Sequence, residues 1–337
     1  MTLPTRTLGT SGLEITTVGF GSWATGGGGW SFGWGPQDDD LSIAAIHRAL
    51  DLGVNWIDTA AIYGLGHSEE VVGRAVRALP AAARPLIFTK CGLEWDAADP
   101  MRAPERIFTP HTVRHGIEES LRRLGLEAVD LFQIHWPDDQ GNPVEEAWAE
   151  MVKLREEGKA RAIGVSNFDP DLLARCEAVG HVDSLQPPFS LIDRRTAAEL
   201  LPQARAHGIG VLCYSPMASG ILTDTFSAAR VAAMAADDWR RRPPSFNEPE
   251  LGRNLSLRDA LRPIAARHEA TVAAAAVAWV TSWPGVSGAI VGARSPEQVD
   301  GWIAGASLEL TDEDLAEIAG AVQGTGAGAG PVDPRRA

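Results

Sequence analysis

Short apolar runs alternate with segments of helical periodicity along most of this chain. The runs predict strands over 17–20, 54–57, 85–89, 129–134, 160–165, 182–185, 210–213 and 286–291. The segments between them predict helices over 38–52, 68–78, 110–124, 143–157, 169–179, 194–207, 257–268 and 271–282, with a further helix from Ser295. The strands are continuously apolar, which is typical of a parallel sheet buried on both faces.

Eight strand–helix units within about 290 residues favour a closed (β/α)8 barrel, the TIM barrel, in the α/β class. An open, doubly wound sheet alternates in the same way and is the alternative. Two short runs around a turn cluster predict an N-terminal β-hairpin over 5–17, and long intervening segments predict extra helices and loops at the C-terminal face. We expect one domain over 1–322 and a flexible tail, rich in Gly, Ala and Pro, over 323–337.

The composition of the chain is typical of a globular, acidic protein. It has 337 residues, of which 45% are hydrophobic and 22% charged, and no apolar run is long enough to span a membrane. The formal net charge of −14 argues against nucleic acid and anionic membranes as partners, so an anionic cofactor needs local positive groups or backbone N–H donors. The N-terminus lacks a signal-peptide pattern, and the unclustered Cys91, Cys176 and Cys213 indicate reduced thiols. We therefore expect a cytoplasmic location.

Titratable residues stand at the ends of three consecutive predicted strands. The second strand ends in Asp58, and the loop after it carries Tyr63. The third strand ends in Lys90 and the fourth in His135. In a barrel the carboxyl ends of the strands meet at one face, so these side chains are expected to converge. Taken alone, each of these residues is more simply explained as a structural polar group. Burial of a titratable side chain without a partner is costly, however, so its occurrence at three strands in succession favours a functional site.

The chemistry that these residue types share is proton donation to a carbonyl group. An unperturbed tyrosine has a pKa of about 10, and a nearby lysine ammonium lowers it because it favours the phenolate. Asp58 would keep Lys90 charged, and His135 would orient the carbonyl oxygen. A metal site is disfavoured because only one His and one carboxylate converge. Since no side chain supplies hydride, carbonyl reduction implies a nicotinamide cofactor.

With these residues, the sequence resembles the aldo-keto reductase superfamily over residues 5–305, and most of all the bacterial branch that also includes potassium-channel β subunits. The resemblance rests on the opening hairpin and first strand (6–13 and 19–23), on Asp58, Tyr63, Lys90 and His135 in the order of the family's catalytic tetrad, on Gly164-Val165-Ser166-Asn167-Phe168, on Gln186, and on Tyr214-Ser215-Pro216-Met217-Ala218-Ser219-Gly220. It implies a (β/α)8 fold and an NADP(H)-dependent reductase in which Tyr63 is the general acid/base.

The resemblance also implies a cofactor site. Ser166, Asn167 and Gln186 would bind the nicotinamide carboxamide. The ring of Tyr214 would stack on the nicotinamide, and the backbone N–H groups after it would hold the pyrophosphate. The full implied set is Gly21, Ser22, Trp23, Asp58, Ser166, Asn167, Gln186, Tyr214, Ser215, Pro216, Met217, Ser219, Gly220, Gly292, Arg294 and Gln298. From the residues alone, Ser166 and Asn167 fit a turn and helix cap equally well, Tyr214 fits a core ring, and the basic run 240–242 is either a pyrophosphate contact or a solvated surface.

The segment after the eighth strand bears on the choice between NADP(H) and NAD(H). Arg294 and the Ser295 hydroxyl, near a predicted helix start, suit a phosphate group. Other family members carry Lys-Ser, a later Arg or Glu-Asn in this region. This chain has Gly292, Gln298 and 301–302 (Gly-Trp) at those places. We expect NADP(H), with NAD(H) as the alternative.

Loops after the strands are expected to form a substrate pocket walled by indoles. The expected pocket residues are Trp23, Trp30, Trp95 and Trp136, and Trp34 and Trp239 lie on the same set of loops. Indoles suit aromatic aldehydes and the C–H faces of sugars, and Asp96 and Asp138 would bind hydroxyl groups. The alternative is that these residues only pack the loops.

We therefore expect an NADP(H)-dependent oxidoreductase of the alcohol or aldose dehydrogenase class, acting on a small aldehyde, ketone or sugar. Two other functions stay open. One is a cofactor-binding regulatory or sensor subunit with little turnover, and the other is a sugar lyase or isomerase that uses bound cofactor transiently. The sequence does not determine the substrate, the direction or the choice between a monomer and a homo-oligomer.

Overall fold

The computed structural model describes residues 2–235 and 238–336, in which eight parallel strands close into a barrel. The strands of the chain are β1 (Thr5–Thr7), β2 (Glu14–Thr16), β3 (Val18–Gly21), β4 (Trp56–Asp58), β5 (Leu86–Cys91), β6 (Leu93–Glu94), β7 (Glu105–Arg106), β8 (Val129–Ile134), β9 (Ala160–Ser166), β10 (Ser184–Gln186), β11 (Gly210–Tyr214) and β12 (Val286–Gly292). The barrel order is β3-β4-β5-β8-β9-β10-β11-β12, and β12 pairs with β3. This closure confirms the (β/α)8 barrel, because a doubly wound sheet keeps two open edges.

Helices cover the outside of the barrel. They are α1 (Asp39–Asp51), α2 (His67–Arg77), α3 (Pro110–Leu124), α4 (Val144–Glu156), α5 (Pro170–Glu177), α6 (Leu200–Ala206), α7 (Ala228–Ala232), α8 (Glu250–Ala260), α9 (Arg262–Arg267), α10 (Val272–Thr281), α11 (Pro296–Asp300) and α12 (Asp312–Thr325). In α3, Thr109 forms a capping box with Thr112, and Gly125 ends the helix at a φ of 67°. Among the described residues, no helix is both long and apolar enough to cross a membrane.

The β1–β2 hairpin closes the N-terminal end of the barrel. Leu8, Leu13 and Ile15 are buried there and pack in one cluster with Trp56 of β4. The Trp56 ring lies so close to β3 that a Cβ on Gly19 would be 2.2 Å from it, so this position requires glycine. Because side chains fill this end, the C-terminal end of the strands is left for a site.

Two predicted helices are divided in the structure at prolines. The helix predicted over 194–207 forms as a 3₁₀ turn followed by α6, which begins shortly before Pro202. The helix predicted over 257–268 is replaced by α8 and α9, which meet at Leu261 with Pro263 in the first turn of α9. Proline has no N–H to donate and fits only the first turn of a helix, so each helix restarts just before it.

Among the described residues, one hairpin and two α-helices lie where the sequence predicts no regular structure. These are the β6–β7 hairpin, the short α7, and α12, which crosses the predicted domain boundary at 322. Beyond α12, Ala329 forms a β-bridge with Asp193, and the Arg194 guanidinium donates to the carbonyl oxygen of Ala327 at 3.1 Å. The division into one domain and a flexible tail stays a prediction.

Candidate active site

The carboxyl ends of β4 and β5 place a carboxylate and an ammonium in contact inside the barrel. Lys90 Nζ lies 2.5 Å from Asp58 Oδ1 and donates a second hydrogen bond to the carbonyl oxygen of Thr59 at 2.9 Å. Lys90 has no exposed surface, and Asp58 is 2% exposed. Burial raises the pKa of Asp58 and lowers the pKa of Lys90, and the charge of each partner opposes the shift of the other. The two residues therefore form a buried ion pair that depends on both partners.

The ring of Tyr63 lies beside this pair, on the loop between β4 and α2. Its centroid is 5.3 Å from Lys90 Nζ and 5.7 Å from the imidazole centroid of His135, the residue that follows β8. Both rings are partly exposed. The structure thus brings together the four side chains whose convergence the sequence predicts, at the carboxyl end of the barrel.

Burial governs the protonation of the two rings. Burial, and then the negative charge of Asp58, raise the pKa of Tyr63 well above its ordinary value. This direction is opposite to the expected lowering by Lys90, because burial is the largest influence and the lysine charge is balanced by Asp58 at 2.5 Å. Burial, and then the positive charge of Lys90, hold the pKa of His135 well below its ordinary value. At neutral pH the site therefore presents a protonated phenol and an uncharged imidazole.

A second polar group lies at the ends of β9, β10 and β11. Asn167 Nδ2 donates to the carbonyl oxygen of His135 at 2.9 Å, and its Oδ1 accepts from the Tyr214 hydroxyl at 2.7 Å. Ser166 Oγ donates to the carbonyl oxygen of Gln186 at 2.8 Å and accepts from Asn167 Nδ2 at 3.1 Å. The group carries both the donors and the acceptors that binding of an amide requires. It also holds the carboxyl ends of neighbouring strands together.

Gln186 connects this group to the ion pair. Its Nε2 donates to Asp58 Oδ2 and to Gln133 Oε1, each at 2.9 Å. Gln133 is fully buried, and its own Nε2 donates to Ser184 Oγ at 3.0 Å. Sequence reasoning misses Gln133. A signal exists, however, because Gln133 stands two residues before His135 and alternation along a strand puts both on one face.

The end of β3 is tied to the end of β4. Both the backbone N–H and the Oγ of Ser22 donate to the carbonyl oxygen of Asp58, at 2.9 and 3.0 Å. Gly21 pairs with Asp58 on one side and with Gly292 of β12 on the other. These predicted cofactor residues therefore line the rim of the barrel next to the buried pair.

Indoles cover Tyr63 at the mouth of the barrel. Trp23 stacks on Tyr63 with ring centroids 6.0 Å apart and an interplanar angle of 19°. Trp239, on the loop after β11, stacks on Trp23 at 5.1 Å. Trp34 meets both indoles edge-on, at 5.4 and 5.6 Å, and the Arg240 guanidinium lies 4.7 Å from its ring. Two long loops that are distant in sequence thus meet above the predicted proton donor.

The other expected pocket residues lie further out. Trp30 is 5% exposed and packs with Ile62 inside the loop after β3. Trp95 packs against the same cluster. Trp136 lies beneath the Arg106 guanidinium, 4.4 Å from its ring centroid. Contact of these three residues with a substrate stays a prediction.

The segment after β11 has an unusual backbone. Ser215, Ala218 and Ser219 have φ values of 56°, 48° and 54°, and Gly220 has 102°. Residues other than glycine rarely adopt positive φ, and a cluster of three such residues indicates a backbone that the surrounding structure holds in place. The N–H groups of Ala218 and Gly220 donate to backbone carbonyl oxygens at 2.8 and 3.1 Å, whereas those of Met217 and Ser219 have no backbone partner among the described residues and could bind an anion. With Met217 packed on the core beside it, the segment fits the pyrophosphate of a dinucleotide.

Arginines gather after β12. Arg294 Nε donates to Gln37 Oε1 at 2.7 Å, and its backbone N–H donates to Gln298 Oε1 at 2.9 Å. Burial, and then the positive charges of Arg240 and Arg230, lower the pKa of Arg294. Among the described residues, the Arg294 side chain donates to the side-chain oxygen of Gln37 and to the carbonyl oxygen of Pro36 and has no carboxylate partner, so its positive charge could bind an anionic group.

Comparison with known proteins agrees with this geometry. The model of the aldo/keto reductase family matches residues 17–323. Aldo-keto reductase YhdN of Bacillus subtilis (strain 168) is 35% identical over 309 residues, which are 91% of this chain and 90% of that protein. The NADH-specific methylglyoxal reductase of Escherichia coli (strain K12) is 32% identical over 330 residues, which are 94% of this chain and 98% of that protein.

Two solved structures have the same fold. The glycerol dehydrogenase AKR11B4 from Gluconobacter oxydans matches with a TM-score of 0.86 at 37% identity, over 98% of both chains. The holo form of the aldo-keto reductase AKR11C1 from Bacillus halodurans matches with a TM-score of 0.76 over 95% of this chain and 96% of that one. At 22% identity, this second likeness supports the fold alone.

Proposed function

This chain belongs to the aldo/keto reductase family, and we propose that it transfers hydride between NADP(H) and the carbonyl group of a small aldehyde, ketone or sugar. The observation that carries this proposal is the buried Lys90–Asp58 pair beside the ring of Tyr63. Removing an ion pair from water costs free energy of folding, so a buried pair at the mouth of the barrel indicates a catalytic role. The nicotinamide, when bound, supplies or accepts the hydride.

Tyr63 is the proposed proton donor. Its raised pKa keeps the phenol protonated at neutral pH, so a proton is available for the carbonyl oxygen during reduction. The phenolate left behind is stabilised by the Lys90 ammonium, which Asp58 keeps charged. In alcohol oxidation the same groups act in reverse, with the phenolate accepting the proton.

His135 has a different part in this proposal. Because its pKa lies well below the ordinary value, the imidazole is uncharged at neutral pH and does not compete with Tyr63 as an acid. A neutral imidazole still donates one N–H hydrogen bond, which holds the carbonyl oxygen near the phenol. The backbone N–H of His135 donates to the carbonyl oxygen of Cys91 at 2.9 Å, which anchors the residue at the strand end.

The cofactor would lie across the ends of β9 to β12. We propose that Ser166, Asn167 and Gln186 hold the carboxamide, that Tyr214 faces the nicotinamide ring, and that the segment 215–220 holds the pyrophosphate. Support comes from the donor and acceptor groups at the first three residues and from the run of positive φ in the last segment. Gly292, Arg294 and Gln298 would then lie near the adenosine end.

The preference for NADP(H) rests on the arginines around Arg294. Asp238 pairs with Arg240 at 2.6 Å, whereas the Arg294 side chain is bonded only to oxygens of Gln37 and Pro36 among the described residues and keeps its charge for a 2′-phosphate. The relative from Escherichia coli is named as NADH-specific, so titration with both nucleotides is the decisive measurement. We expect NADPH to bind more tightly than NADH, and Arg294→Met to reduce that ratio by about tenfold or more, the worth of a charge-assisted hydrogen bond. Equal binding of both by the unmodified chain would contradict the preference.

The substrate is proposed to be a short, hydroxylated carbonyl compound. The indole N–H groups of Trp34 and Trp239 are buried and have no hydrogen-bond partner within the described residues; the same holds for three core tryptophans, but these two lie at the mouth of the barrel above Tyr63. Buried donors usually have a partner, and a substrate hydroxyl would supply one. The names of two similar proteins, a methylglyoxal reductase and a glycerol dehydrogenase, point to compounds of the same size. Trp239→Phe should therefore lower kcat/KM for glyceraldehyde more than for propanal, and an equal loss for both would contradict the assignment.

The experiment that tests the reaction is Tyr63→Phe. Phenylalanine keeps the ring beside Trp23 and removes only the hydroxyl. Turnover with NADPH and a reactive aldehyde should fall by roughly 10²–10⁴-fold, the usual worth of general acid–base catalysis. The dissociation constant for NADPH should stay within about twofold, because the hydroxyl acts in the chemical step rather than in binding. Unchanged turnover would remove Tyr63 from the role of proton donor.

A further inference from the structure

A row of three residues crosses the barrel just inside the proposed active site. Gln133 of β8 and Ser184 of β10 are both in register with Gly164 of the intervening strand β9. Gly164 has no side chain, so Gln133 passes over it and donates to Ser184 Oγ at 3.0 Å. A Cβ on Gly164 would lie 2.5 Å from Ser184 Oγ and would block this crossing.

Asp58 sets the direction of the hydrogen bonds that continue from this row. Its Oδ1 is 2.5 Å from the Lys90 ammonium, so the carboxylate stays ionised and can only accept hydrogen bonds. The atom of Gln186 that lies 2.9 Å from Asp58 Oδ2 is therefore the amide nitrogen. The second hydrogen of that nitrogen goes to Gln133 Oε1 at 2.9 Å.

The consequence is a fixed orientation of the Gln186 amide. An amide is planar, so using both N–H hydrogens determines the direction in which Oε1 points. Oε1 is then left as the one acceptor that Gln186 can offer to a ligand. Without Gln133, the Gln186 amide would keep only its hydrogen bond to Asp58 and could rotate about it. One buried N–H of Gln186 would then have lost its partner.

We propose that Gln133 is a positioning residue, for which Gly164 makes room, and that it holds Gln186 so that Oε1 accepts a hydrogen bond from the carboxamide N–H of the cofactor. This inference rests on the proposed function, which puts the carboxamide at the ends of β9 and β10. Gln133 acts through Gln186 and contacts neither cofactor nor substrate. Its effect is therefore on recognition of the carboxamide rather than on the proton transfer itself.

The test compares two nucleotides with Gln133→Met, which keeps the length of the side chain and removes its polar atoms. Dissociation constants are measured by quenching of tryptophan fluorescence with NADP⁺ and with its 3-acetylpyridine analogue, which has no carboxamide N–H. The unmodified chain should prefer NADP⁺ by about tenfold, the worth of one oriented hydrogen bond. In the variant this ratio should fall towards one, mainly because NADP⁺ binds more weakly.

Two further variants separate this role from general loss of stability. Thr17→Val removes a buried hydrogen bond to the carbonyl oxygen of Ala306, 2.7 Å long and remote from the site, and should leave the ratio unchanged. Ser184→Ala removes only the group to which Gln133 donates, so it should lower the ratio in the same direction by about threefold. This variant carries the test if Gln133→Met does not fold.

The outcomes distinguish the inference from the function on which it rests. An unchanged ratio in folded Gln133→Met, or in Ser184→Ala where that variant carries the test, overturns the inference. Equal affinity of the unmodified chain for NADP⁺ and its analogue also overturns the inference, but leaves the proposed function standing. Failure of the unmodified chain to bind any nicotinamide nucleotide overturns both.

Discussion

Replacing Asp58 with asparagine removes the negative charge that lies 2.5 Å from Lys90 Nζ, and the amide keeps only one of the two oxygens that accept hydrogen bonds from Lys90 and Gln186. The pKa of Lys90 is already lowered by burial, and the charge and hydrogen bond of Asp58 are the main opposing influences. The carbonyl oxygen of Thr59, at 2.9 Å, is a much weaker partner for an ammonium group. In Asp58→Asn, we therefore expect the pKa of Lys90 to fall further and a neutral amine to be populated near neutral pH.

The distance between the two charges gives the size of this effect. Two unit charges 2.5 Å apart attract by about 7 kcal/mol at an effective dielectric constant of about 20. Measured costs of breaking a buried pair, about 3–5 kcal/mol, include the relaxation that follows. At 1.36 kcal/mol for one pKa unit, these figures correspond to about two to five units. Without the ammonium, the Tyr63 phenolate loses its stabilising charge, and turnover at neutral pH should fall by roughly 10²-fold or more.

The assay is kcat/KM for carbonyl reduction from pH 5 to 9 with saturating cofactor. The unmodified chain should show a flat profile over this range, because Asp58 keeps Lys90 charged, the pKa of Tyr63 is raised and that of His135 is lowered. The Asp58→Asn variant should gain activity as the pH falls and Lys90 takes up a proton. The activity of this variant should fall as the pH rises, but its free energy of unfolding should rise with pH up to about 10. The reason is that the unfolded chain binds the lysine proton more tightly than the folded chain does.

Lys90→Met is the matched control. It removes the ammonium at every pH, so its activity should be low throughout and should not recover in acid. A flat profile for Asp58→Asn at the level of the unmodified chain would refute the argument that Asp58 keeps Lys90 charged. A profile as low and as flat as that of Lys90→Met would show that Asp58 acts in some other way.

Two further predictions concern stability. Arg123→Met should lower the free energy of unfolding by about 3–5 kcal/mol in denaturant titrations, because it leaves the carboxylate of Glu69 buried without its partner at 2.6 Å. The double variant with Glu69→Gln should recover part of the loss, and an additive or larger loss would contradict this reason. Burial raises the pKa of Asp314, but hydrogen bonds from Arg267 and His268 outweigh it and hold that pKa below its ordinary value. Asp314→Asn should therefore lower the free energy of unfolding by about 1–3 kcal/mol at pH 7, and this loss should shrink as the pH falls below about 4. A loss that does not depend on pH would contradict the role of the ionised Asp314 carboxylate.

From the sequence alone, a closed barrel is the favoured prediction over an open sheet, and the four proposed catalytic side chains can be placed at one end of its strands. Continuous apolar runs, helical periodicity between them and the count of eight units are local patterns, and strand direction then puts every strand end on one face. Asp58, Lys90 and His135 could be assigned to that face because each stands directly at the end of such a run. Tyr63 follows from its short distance along the chain to Asp58.

The pairing and the covering of these side chains depend on contacts between distant parts of the chain. The raised pKa of Tyr63 depends on burial and on the balance of charge between Asp58 and Lys90, neither of which a spacing of residues reports. The stacking of Trp239 on Trp23 joins loops that are more than two hundred positions apart. The contact of Gln133 with Gln186 needs the register of three neighbouring strands. Such contacts arise when the barrel closes, because register and loop packing are set by the whole core rather than by neighbouring residues in the sequence.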